Sequence, residues 1–362
     1  MPNVYALIMA GGVGSRFWPR SREKTPKQFL EIIQKGTMIQ NTVNRISTLV
    51  EPDHTLIVTN KVQKSMIVKQ LPKIPSGNVI IEPIGRNTAP CIGLAALFIR
   101  RLDPDAVMLA LPSDHIMQDE KEFQRVLRLA IWVAYESKDL VTIGIQPTRP
   151  ETGYGYIQVV DDQEEENPYS SRGVHKVKTF AEKPNLETAK QFLKSGDFLW
   201  NSGMFIWKVD AILREIEHFL PDTWKELEKI DAAIGSDAYE HVLETAYRTI
   251  RNISIDYGVM EKAKDVYVIP GNFGWSDVGT WDEVYRISGK DENGNSVTGK
   301  TYLQGTKNSL IYAGNKFVGA IGIDGLIIIA SDDAILVCRK GESQDVKEIV
   351  DYLRRKQITD YL

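Results

Sequence analysis

Short apolar runs alternate with amphipathic stretches through most of the chain. Five runs are almost continuously apolar, as is typical of parallel strands covered on both faces: Val4–Ala10, Leu56–Thr59, Val79–Ile81, Ala106–Leu111 and Leu140–Ile145. Thr88–Arg101 and Glu120–Glu136 have apolar residues at three- and four-residue spacings, which predicts helices. This alternation predicts an α/β fold with a doubly wound, mostly parallel sheet, whose ligands bind beyond the carboxyl ends of the strands.

The pattern changes after about Gly289. A polar turn cluster at residues 291–295 precedes four short β-like pieces, which are Leu310–Tyr312, Phe317–Ile321, Leu326–Ala330 and Ile335–Cys338. A terminal helix, capped by Ser343, then has Val346, Ile349, Val350 and Leu353 on one face. We therefore predict two domains, with residues 1–289 forming the larger α/β domain and residues 290–362 a small β-rich domain.

Composition excludes several classes of protein. The 362 residues are 43% hydrophobic, and the formal net charge of −4 leaves no basic footprint for nucleic acid. Cys91 and Cys338 have no Cys or His companion at metal-ligand spacing, so we interpret both as buried free thiols in a reducing compartment. No apolar run approaches the roughly 18 residues of a bilayer span. We expect a cytoplasmic protein that binds neither nucleic acid nor a membrane.

A glycine-rich stretch follows the first apolar run directly. Residues 11–30 contain Gly11, Gly12, Gly14, Ser15 and Arg16, with Arg22 and Lys27 further on. The glycines leave backbone N–H groups free for an anion and the three cations add fixed charge, which predicts a polyphosphate loop. A Walker A loop is excluded because its Gly-Lys-Ser/Thr ending is absent, and a dinucleotide fingerprint because its third glycine position is Phe17. The alternative is a glycine-rich turn with a solvated basic face.

Two aspartates in separate loops are candidate metal ligands. Pro112, Ser113 and Asp114 end a buried strand, which we expect to place them beside the phosphate loop, and Asp277 lies in a Gly- and Trp-rich stretch. Mg²⁺ prefers one or two carboxylates together with phosphate oxygens and water, so the pair would suit a bound triphosphate. The alternative for each aspartate is a helix N-cap.

The segment from Glu82 to Pro90 also begins at a strand end. A guanine base has an N1–H and an exocyclic amino group that a carboxylate can accept together, and Glu82 is the nearest candidate. The competing interpretation makes Thr88 a helix N-cap and places Pro90 in the first turn, and both interpretations can hold together.

Three further motifs suit a sugar phosphate. Gly153, Tyr154 and Gly155 allow a close backbone approach, whereas Glu182 and Lys183 offer a hydroxyl acceptor beside a phosphate-binding cation. Asn201 and Ser202 place an amide and a hydroxyl among aromatic residues, and Asp256 is a further hydroxyl acceptor. Ion-rich surface turns and core packing are the alternatives, and we assign Phe205 and Trp207 to the core.

The motifs together resemble mannose-1-phosphate guanylyltransferases, within the sugar nucleotidyltransferases. The resemblance rests on the Gly-Gly-x-Gly-x-Arg, Trp-Pro and Pro-Lys-Gln-Phe strings of residues 11–30, on the segment from Glu82 to Pro90, and on five later motifs in order. It implies a nucleotidyltransferase catalytic domain over residues 1–289 with a Rossmann-like sheet, and a short left-handed β-helix over residues 290–362. Many bacterial relatives carry an additional isomerase domain beyond this point, so we expect a monofunctional short form.

The resemblance also implies substrates, residue roles and a nucleotide pocket lined by the segment from Glu82 to Pro90, which includes Arg86, Asn87 and Thr88. GTP and mannose 1-phosphate would give GDP-mannose and pyrophosphate with Mg²⁺ as cofactor, held by Asp114 and Asp277. Arg16 and Lys27 would bind the triphosphate and the leaving pyrophosphate, and Lys183 the attacking phosphate. Another sugar-nucleotide pyrophosphorylase and a non-catalytic GDP-mannose-binding regulator remain as alternatives. The sequence does not fix the oligomeric state, and a homodimer is one option.

Overall fold

The computed structural model describes residues 2–12, 14–160 and 166–362. Thirteen strands lie in these ranges: β1 (Val4–Met9), β2 (Thr55–Asn60), β3 (Val79–Glu82), β4 (Val107–Pro112), β5 (Leu140–Ile145), β6 (Tyr156–Val159), β7 (His175–Ala181), β8 (Phe198–Lys208), β9 (Val266–Gly271), β10 (Ser296–Gln304), β11 (Leu310–Ile321), β12 (Leu326–Ala330) and β13 (Ile335–Arg339). The five strands predicted from continuous apolar runs are therefore confirmed as β1 to β5.

Ten α-helices occur in the same described ranges. They are α1 (Met38–Ile46), α2 (Lys64–Gln70), α3 (Thr88–Leu102), α4 (Glu120–Ser137), α5 (Leu186–Ser195), α6 (Val209–Phe219), α7 (Pro221–Ala233), α8 (Tyr239–Thr249), α9 (Trp281–Ile287) and α10 (Val346–Arg355). The two predicted helices are confirmed as α3 and α4, each one residue longer than predicted. None of the described helices is long and apolar enough to cross a bilayer.

The chain folds into two compact units whose segments alternate along the sequence. The first unit comprises Met1–Gly11, Val43–Ser113 and Met117–Trp275, and the second comprises Gly12–Thr42, Asp114–Ile116 and Ser276–Leu362. The glycine-rich loop and Asp114 thus group with the C-terminal strands. The domain boundary at residue 289 stays a prediction.

The first unit contains a nine-stranded sheet, counted over the described residues, in the order β3-β2-β1-β4-β8-β5-β9-β7-β6. The pairings among β1, β2, β3 and β4 are parallel, and β5 pairs in parallel with β9. Helices α3 and α6 supply much of the main core, which includes Leu94, Leu97 and Ile216. The predicted α/β class is confirmed by this arrangement.

The antiparallel part of the sheet was not predicted. β8 runs antiparallel to both β4 and β5, and its first half also pairs with β6. Asn201, Ser202 and Gly203 interrupt its apolar pattern, so no continuous apolar run marks this strand in the sequence. Gly203 has a left-handed φ of 69°, and the β5 register shifts opposite it, between Thr142 and Gly144.

The second unit contains a four-stranded sheet over the described part of the chain, in the order β10-β11-β12-β13. β10, β11 and β12 pair in parallel with partners 14 to 17 residues apart, such as Ser296 with Leu310 and Leu310 with Ile327. Such regular parallel coils are the geometry of a short β-helix. Its core joins Phe17 and Trp281 to the strands and to the apolar face of α10.

Three local predictions are corrected. The two pieces at residues 310–312 and 317–321 form a single strand, β11, and β10 was missed because its exposed polar residues mask the pattern. Ser343 does not cap the terminal helix: its Oγ accepts the backbone N–H of Asp282 at 3.0 Å, and α10 begins at Val346 without a side-chain cap. Cys91 is buried as predicted, whereas Cys338 is partly exposed.

Candidate active site

The glycine-rich loop of the second unit is shaped around Lys27. Gly14 has a left-handed φ of 70°, and a Cβ at this position would lie 2.5 Å from the Lys27 Cβ. A 3-10 turn at Ser15–Phe17 follows, and Arg16 in it is exposed. The buried Gln28 amide donates to the Gly12 carbonyl at 3.0 Å, a contact that the sequence did not suggest. Val13 lies outside the described residues.

Lys27 is a buried cation that joins the two predicted metal-ligand loops. Its side chain is 4% exposed, and its Nζ lies 2.9 Å from Asp114 Oδ2 and donates to the Asp277 carbonyl at 2.6 Å. Burial alone would raise the pKa of Asp114, but the charges of Lys27 and His115 and the Lys27 hydrogen bond hold that pKa below its usual value. Asp114 is therefore an ionised carboxylate at neutral pH.

Asp277 precedes α9 in a tight loop. Its Oδ1 accepts the backbone N–H of Gly279 at 3.1 Å. An isolated antiparallel β-bridge pairs Ile116, two residues after Asp114, with Ser276, the residue before Asp277. The helix N-cap alternative is wrong for both aspartates. Asp119 caps α4 and Thr280 caps α9.

The other cations of the loop differ in their surroundings. Arg22 donates to the Pro19 carbonyl at 2.7 Å and pairs with Asp333 at 2.8 Å. Arg20 stacks over the Tyr312 ring at 4.2 Å. These contacts fasten the loop to the strands of its own unit, which leaves Arg16 as the exposed arginine of the stretch.

In the first unit, Glu82 ends β3 as a buried carboxylate. Its side chain is 7% exposed and accepts the Tyr247 hydroxyl at 3.0 Å. Burial raises the pKa of Glu82 to about 7, and the Tyr247 hydrogen bond acts in the opposite direction. Glu82 thus changes charge near physiological pH.

The residues after Glu82 are tied to the end of α8. Arg86 Nε donates to the Tyr247 carbonyl at 2.7 Å and its Nη2 to the Arg248 carbonyl at 3.0 Å. Asn87, with a φ of 70°, is the N-cap of α3 and accepts the N–H of Thr88, so the interpretation of Thr88 as the N-cap is wrong. Pro90 lies in the first turn as predicted.

A second polar cluster of the first unit lies around Glu182. Lys183 forms an ion pair with Glu182, and a Cβ on Gly155 would collide with the Glu182 carboxylate. Lys183 has a left-handed φ of 49°, which is uncommon outside glycine. The Glu182 carboxylate thus approaches the Gly155 backbone so closely that a residue with a Cβ does not fit at this position.

Asn201 and Asp256 belong to the same cluster. The Asn201 amide donates to Asp256 Oδ1 at 2.7 Å, and its backbone N–H donates to the Gly155 carbonyl at 2.8 Å. Burial and the charge of Glu182 raise the pKa of Asp256. Asp256 starts a π-helical turn at Asp256–Met260, a feature often found at functional sites.

Two further predicted sugar-site residues are buried and have partners within the protein, and their role in sugar binding stays a prediction. Ser202 is buried and its hydroxyl donates to the Ile143 carbonyl at 2.6 Å. Tyr154 is 8% exposed and packs edge-on against Trp200 and Trp275. Phe205 and Trp207 are buried and stacked, which confirms their assignment to the core.

Comparison with known proteins places this chain in a family. A family model described as nucleotidyl transferase matches residues 5–294, and one described as the MannoseP isomerase/GMP-like beta-helix domain matches residues 304–353. Mannose-1-phosphate guanylyltransferase of Klebsiella pneumoniae is 39% identical over 360 residues, covering 98% of this chain and 75% of that protein. The chain belongs to the mannose-1-phosphate guanylyltransferase family.

Further relatives agree with this membership. Mannose-1-phosphate guanylyltransferase of Escherichia coli strain K12 is 39% identical over 356 residues, covering 97% of this chain and 73% of that protein. A solved structure described as mannose-1-phosphate geranyltransferase from Thermus thermophilus superposes with a TM-score of 0.87 at 33% identity, covering 97% of this chain and 99% of that one. The guanylyltransferase resemblance, the nucleotidyltransferase fold and the β-helix-like C-terminal domain are thereby confirmed.

Some residues of this guanylyltransferase-family chain were not singled out from sequence. Gln28 lies inside a motif that was recognised, but its contact with the Gly12 carbonyl depends on a turn that the motif does not encode. Tyr247 had no signal, because an aromatic residue on an amphipathic helix is most often ordinary core. Only the folded chain brings its hydroxyl to Glu82.

Proposed function

We propose that this chain transfers GMP from GTP to mannose 1-phosphate, giving GDP-mannose and pyrophosphate. The observation that carries the proposal is the buried Lys27 ammonium on the Asp114 carboxylate and the Asp277 carbonyl, within a glycine-rich loop. A fixed cation beside the ionised Asp114 carboxylate suits a metal-bound triphosphate. Family membership supports a nucleoside triphosphate and a sugar phosphate as the substrate classes.

The reaction needs no nucleophilic side chain. A phosphate oxygen of mannose 1-phosphate attacks the α-phosphorus of GTP, and the bond from that phosphorus to the bridging oxygen of pyrophosphate breaks. Arg16 and Lys27 neutralise the charge that grows on the leaving pyrophosphate, and Lys183 holds the attacking phosphate. Catalysis of this kind rests on positioning and on preorganised charge.

Asp114 and Asp277 would hold Mg²⁺. The donor chemistry fits, because Mg²⁺ takes one or two carboxylates and completes its shell with phosphate oxygens and water. Among the described residues no group of three or more His, Cys, Asp or Glu side chains is arranged to hold a metal ion. When bound, the ion supplies Lewis-acid stabilisation of phosphate charge.

The remaining candidate residues divide between the two substrates. The proposed nucleotide-binding residues are Gly11, Gly12, Gly14, Ser15, Glu82, Asn87, Thr88, Pro112 and Ser113, with Arg86 fixing the loop. Carboxylates such as those of Glu182 and Asp256 suit sugar hydroxyl groups, and the proposed sugar-binding residues are Gly153, Tyr154, Gly155, Glu182, Asn201, Ser202 and Asp256. The free thiols of Cys91 and Cys338 support the proposed cytoplasmic location.

A substrate matrix tests the assignment. Pyrophosphate release is measured for the common nucleoside triphosphates, each combined with mannose, glucose or fucose 1-phosphate. The proposal expects GTP with mannose 1-phosphate to be the fastest pair. A different fastest pair would indicate another sugar-nucleotide pyrophosphorylase.

Two substitutions test the residue roles. Arg16→Ala and Lys183→Ala should each lower the rate by about 10²–10³-fold, the magnitude typical of removing one preorganised electrostatic contact. Lys194→Ala, at an exposed lysine of α5, is the matched control. Near-normal turnover of both active-site variants would contradict the assignment.

A further inference from the structure

The candidate nucleobase loop, defined as residues 82–90, is hydrogen-bonded to the end of α8 and to the segment that follows this helix. Beyond the two Arg86 bonds, the Ile253 N–H donates to the Arg86 carbonyl at 3.3 Å and the Ala89 N–H to the Ile253 carbonyl at 3.2 Å. The Ile255 N–H donates to the Thr88 hydroxyl at 2.8 Å. All these groups belong to the first compact unit.

Tyr247 contacts the nucleobase loop with both ends of the residue. Its hydroxyl lies 3.0 Å from Glu82 Oε1 and 3.4 Å from the Pro90 carbonyl, while its own carbonyl accepts from Arg86. The side chain is fully buried, so water does not compete for these bonds. One residue therefore touches the start, the middle and the end of the loop.

We propose that Tyr247 is a positioning residue for guanine recognition, because its hydroxyl orients the Glu82 carboxylate while its carbonyl fixes Arg86. This inference rests on the proposed role of Glu82 as acceptor for guanine. Tyr247 need not touch the nucleotide. It acts by presenting an ionised, correctly turned carboxylate to the base.

The groups around Glu82 leave Tyr247 as its main polar partner. Burial raises the pKa of the Cys91 thiol and of the Tyr247 phenol well above their usual values, and the Glu82 charge raises both further. Burial also raises the pKa of Tyr239 on α8 to about 12. These groups stay neutral near pH 7, and the Arg86 guanidinium is engaged with two carbonyls of α8.

Protonation of Glu82 would weaken recognition of the guanine edge. The ionised carboxylate accepts the N1–H and the exocyclic amino group, whereas the protonated form presents a donor to one of them. Because burial raises the pKa of Glu82 to about 7 and the Tyr247 bond lowers it, loss of the hydroxyl moves the protonation midpoint to higher pH. Tyr247 thus sets the pH range in which GTP binds well.

Tyr247→Phe tests the proposal directly. The KM for GTP and the KM for inosine 5′-triphosphate, whose base lacks the exocyclic amino group, are measured between about pH 6 and about pH 8 at saturating sugar phosphate. The variant should raise the KM for GTP by about tenfold near neutrality, the loss expected for one hydrogen bond to a charged group. The pH at the midpoint of the pH-dependent change in KM for GTP should move upward, and the preference for GTP over the inosine nucleotide should fall. The change in kcat should be smaller than the change in KM.

Tyr239→Phe is the matched control, since Tyr239 lies on the same helix and contacts Phe98 rather than the loop. It should retain the wild-type midpoint and nucleotide preference. In a Glu82→Gln background, Tyr247→Phe should add little, because it acts through the missing charge. A Tyr247→Phe enzyme with an unmoved midpoint and unchanged preference overturns the proposal, and so does a loss of kcat alone.

A second experiment uses only the wild-type protein, so its result does not depend on whether the variant folds. Its preference for GTP over the inosine nucleotide should weaken as pH falls through about 7. A preference that is constant over this range overturns the inference. Failure of the proposed function is separately visible, because wild type would then release no pyrophosphate from GTP and mannose 1-phosphate at any pH.

Discussion

At the scale of single residues, Lys27 shows how a charged side chain is kept ready for phosphate. Its ammonium is buried and already hydrogen-bonded, so little rotamer freedom is left to lose when a triphosphate binds. Arg16, by contrast, is exposed and makes no ion pair among the residues that the structure describes. The two proposed triphosphate cations therefore differ in how far they are preorganised.

Lys27→Met is expected to lower kcat/KM for GTP by about 10²–10³-fold. The substitution removes a fixed cation and leaves the Asp114 carboxylate without its partner. Steady-state pyrophosphate release measures the effect. Lys24→Met, at an exposed lysine three positions away, should behave as wild type, and an equal loss in both variants would contradict a specific role for Lys27.

Glu82→Gln is expected to stabilise the protein at alkaline pH while impairing guanine recognition. The folded state raises the pKa of Glu82 from an ordinary 4.5 to about 7, so the native protein binds the proton more tightly and loses stability as pH rises through this window. Removing the charge should raise the free energy of unfolding by about 3 kcal/mol above that pH window and leave it unchanged near pH 4.

Thermal unfolding of Glu82→Gln, followed across this pH range, tests the linkage. The difference between the unfolding temperatures of the variant and the wild type should grow with pH and then level off. Glu51→Gln, at an exposed glutamate, supplies the control and should give a flat difference. A Glu82→Gln difference that does not vary with pH would contradict the assigned burial effect.

At the scale of elements, much of the site was predictable because motif residues follow strand ends. Glu82 ends β3, and Asp114 follows the end of β4 by two residues. The continuous apolar runs of these strands reveal them without an alignment. The antiparallel strand β8 was missed because Asn201, Ser202 and Gly203 interrupt its apolar pattern. One of these residues, Asn201, makes the hydrogen bond to Asp256 in the candidate sugar site.

Other features depend on contacts between distant segments. Arg22 looked like a phosphate ligand by its position after the glycines, yet Asp333, more than 300 residues later, is its partner. Tyr247 reaches Glu82 across 165 residues of chain. No periodicity or motif encodes such pairings, which arise only when packing fixes where each element ends.

The close approach of Gly155, the residue before β6, to Glu182 gives an element-scale prediction. Gly155→Ala should raise the KM for mannose 1-phosphate, because the new Cβ displaces the Glu182 carboxylate and with it the Lys183 ion pair. Gly77→Ala is the matched control, since Gly77 is exposed, belongs to neither proposed substrate site, and its Cβ would meet nothing within 4 Å. We expect the KM for mannose 1-phosphate to rise about tenfold in Gly155→Ala, as for the loss of one charge-assisted hydrogen bond. The control should show little change in this KM.

Sugar-phosphate titrations followed by initial rates distinguish the two glycine variants. Equal KM values for Gly155→Ala and Gly77→Ala would show that the Glu182 carboxylate does not contribute to binding the sugar phosphate. An effect confined to the KM for GTP would assign Gly155 to the other substrate.

At the scale of the whole molecule, the glycine-rich loop and the β-helix belong to one compact unit. Trp18 donates to the Tyr361 carbonyl at 2.9 Å and accepts from Trp281 at 3.1 Å, and Glu23 pairs with Arg354. The loop that supplies Arg16 and Lys27 is thus built on residues from the other end of the chain. Sequence order suggested a separable C-terminal domain, whereas the contacts group it with the phosphate loop.

A fragment of residues 1–289 should therefore be inactive. It keeps every proposed substrate contact but lacks Tyr361, Tyr312 and Asp333, which contact Trp18, Arg20 and Arg22 respectively. Limited proteolysis should cut the fragment within Gly12–Thr42 faster than the full chain, and pyrophosphate release should be lost. Full activity in the fragment would mean that the β-helix has no part in holding the loop.

The central claim is that this chain joins GTP to mannose 1-phosphate through charge that the fold holds in place. Its most direct test is pyrophosphate release from these two substrates by the purified protein, with and without Mg²⁺, alongside Lys27→Met and Lys183→Ala. The account predicts one GDP-mannose per pyrophosphate, dependence on Mg²⁺, and a large loss in both variants. Absence of release by a folded protein that demonstrably binds GTP would contradict it.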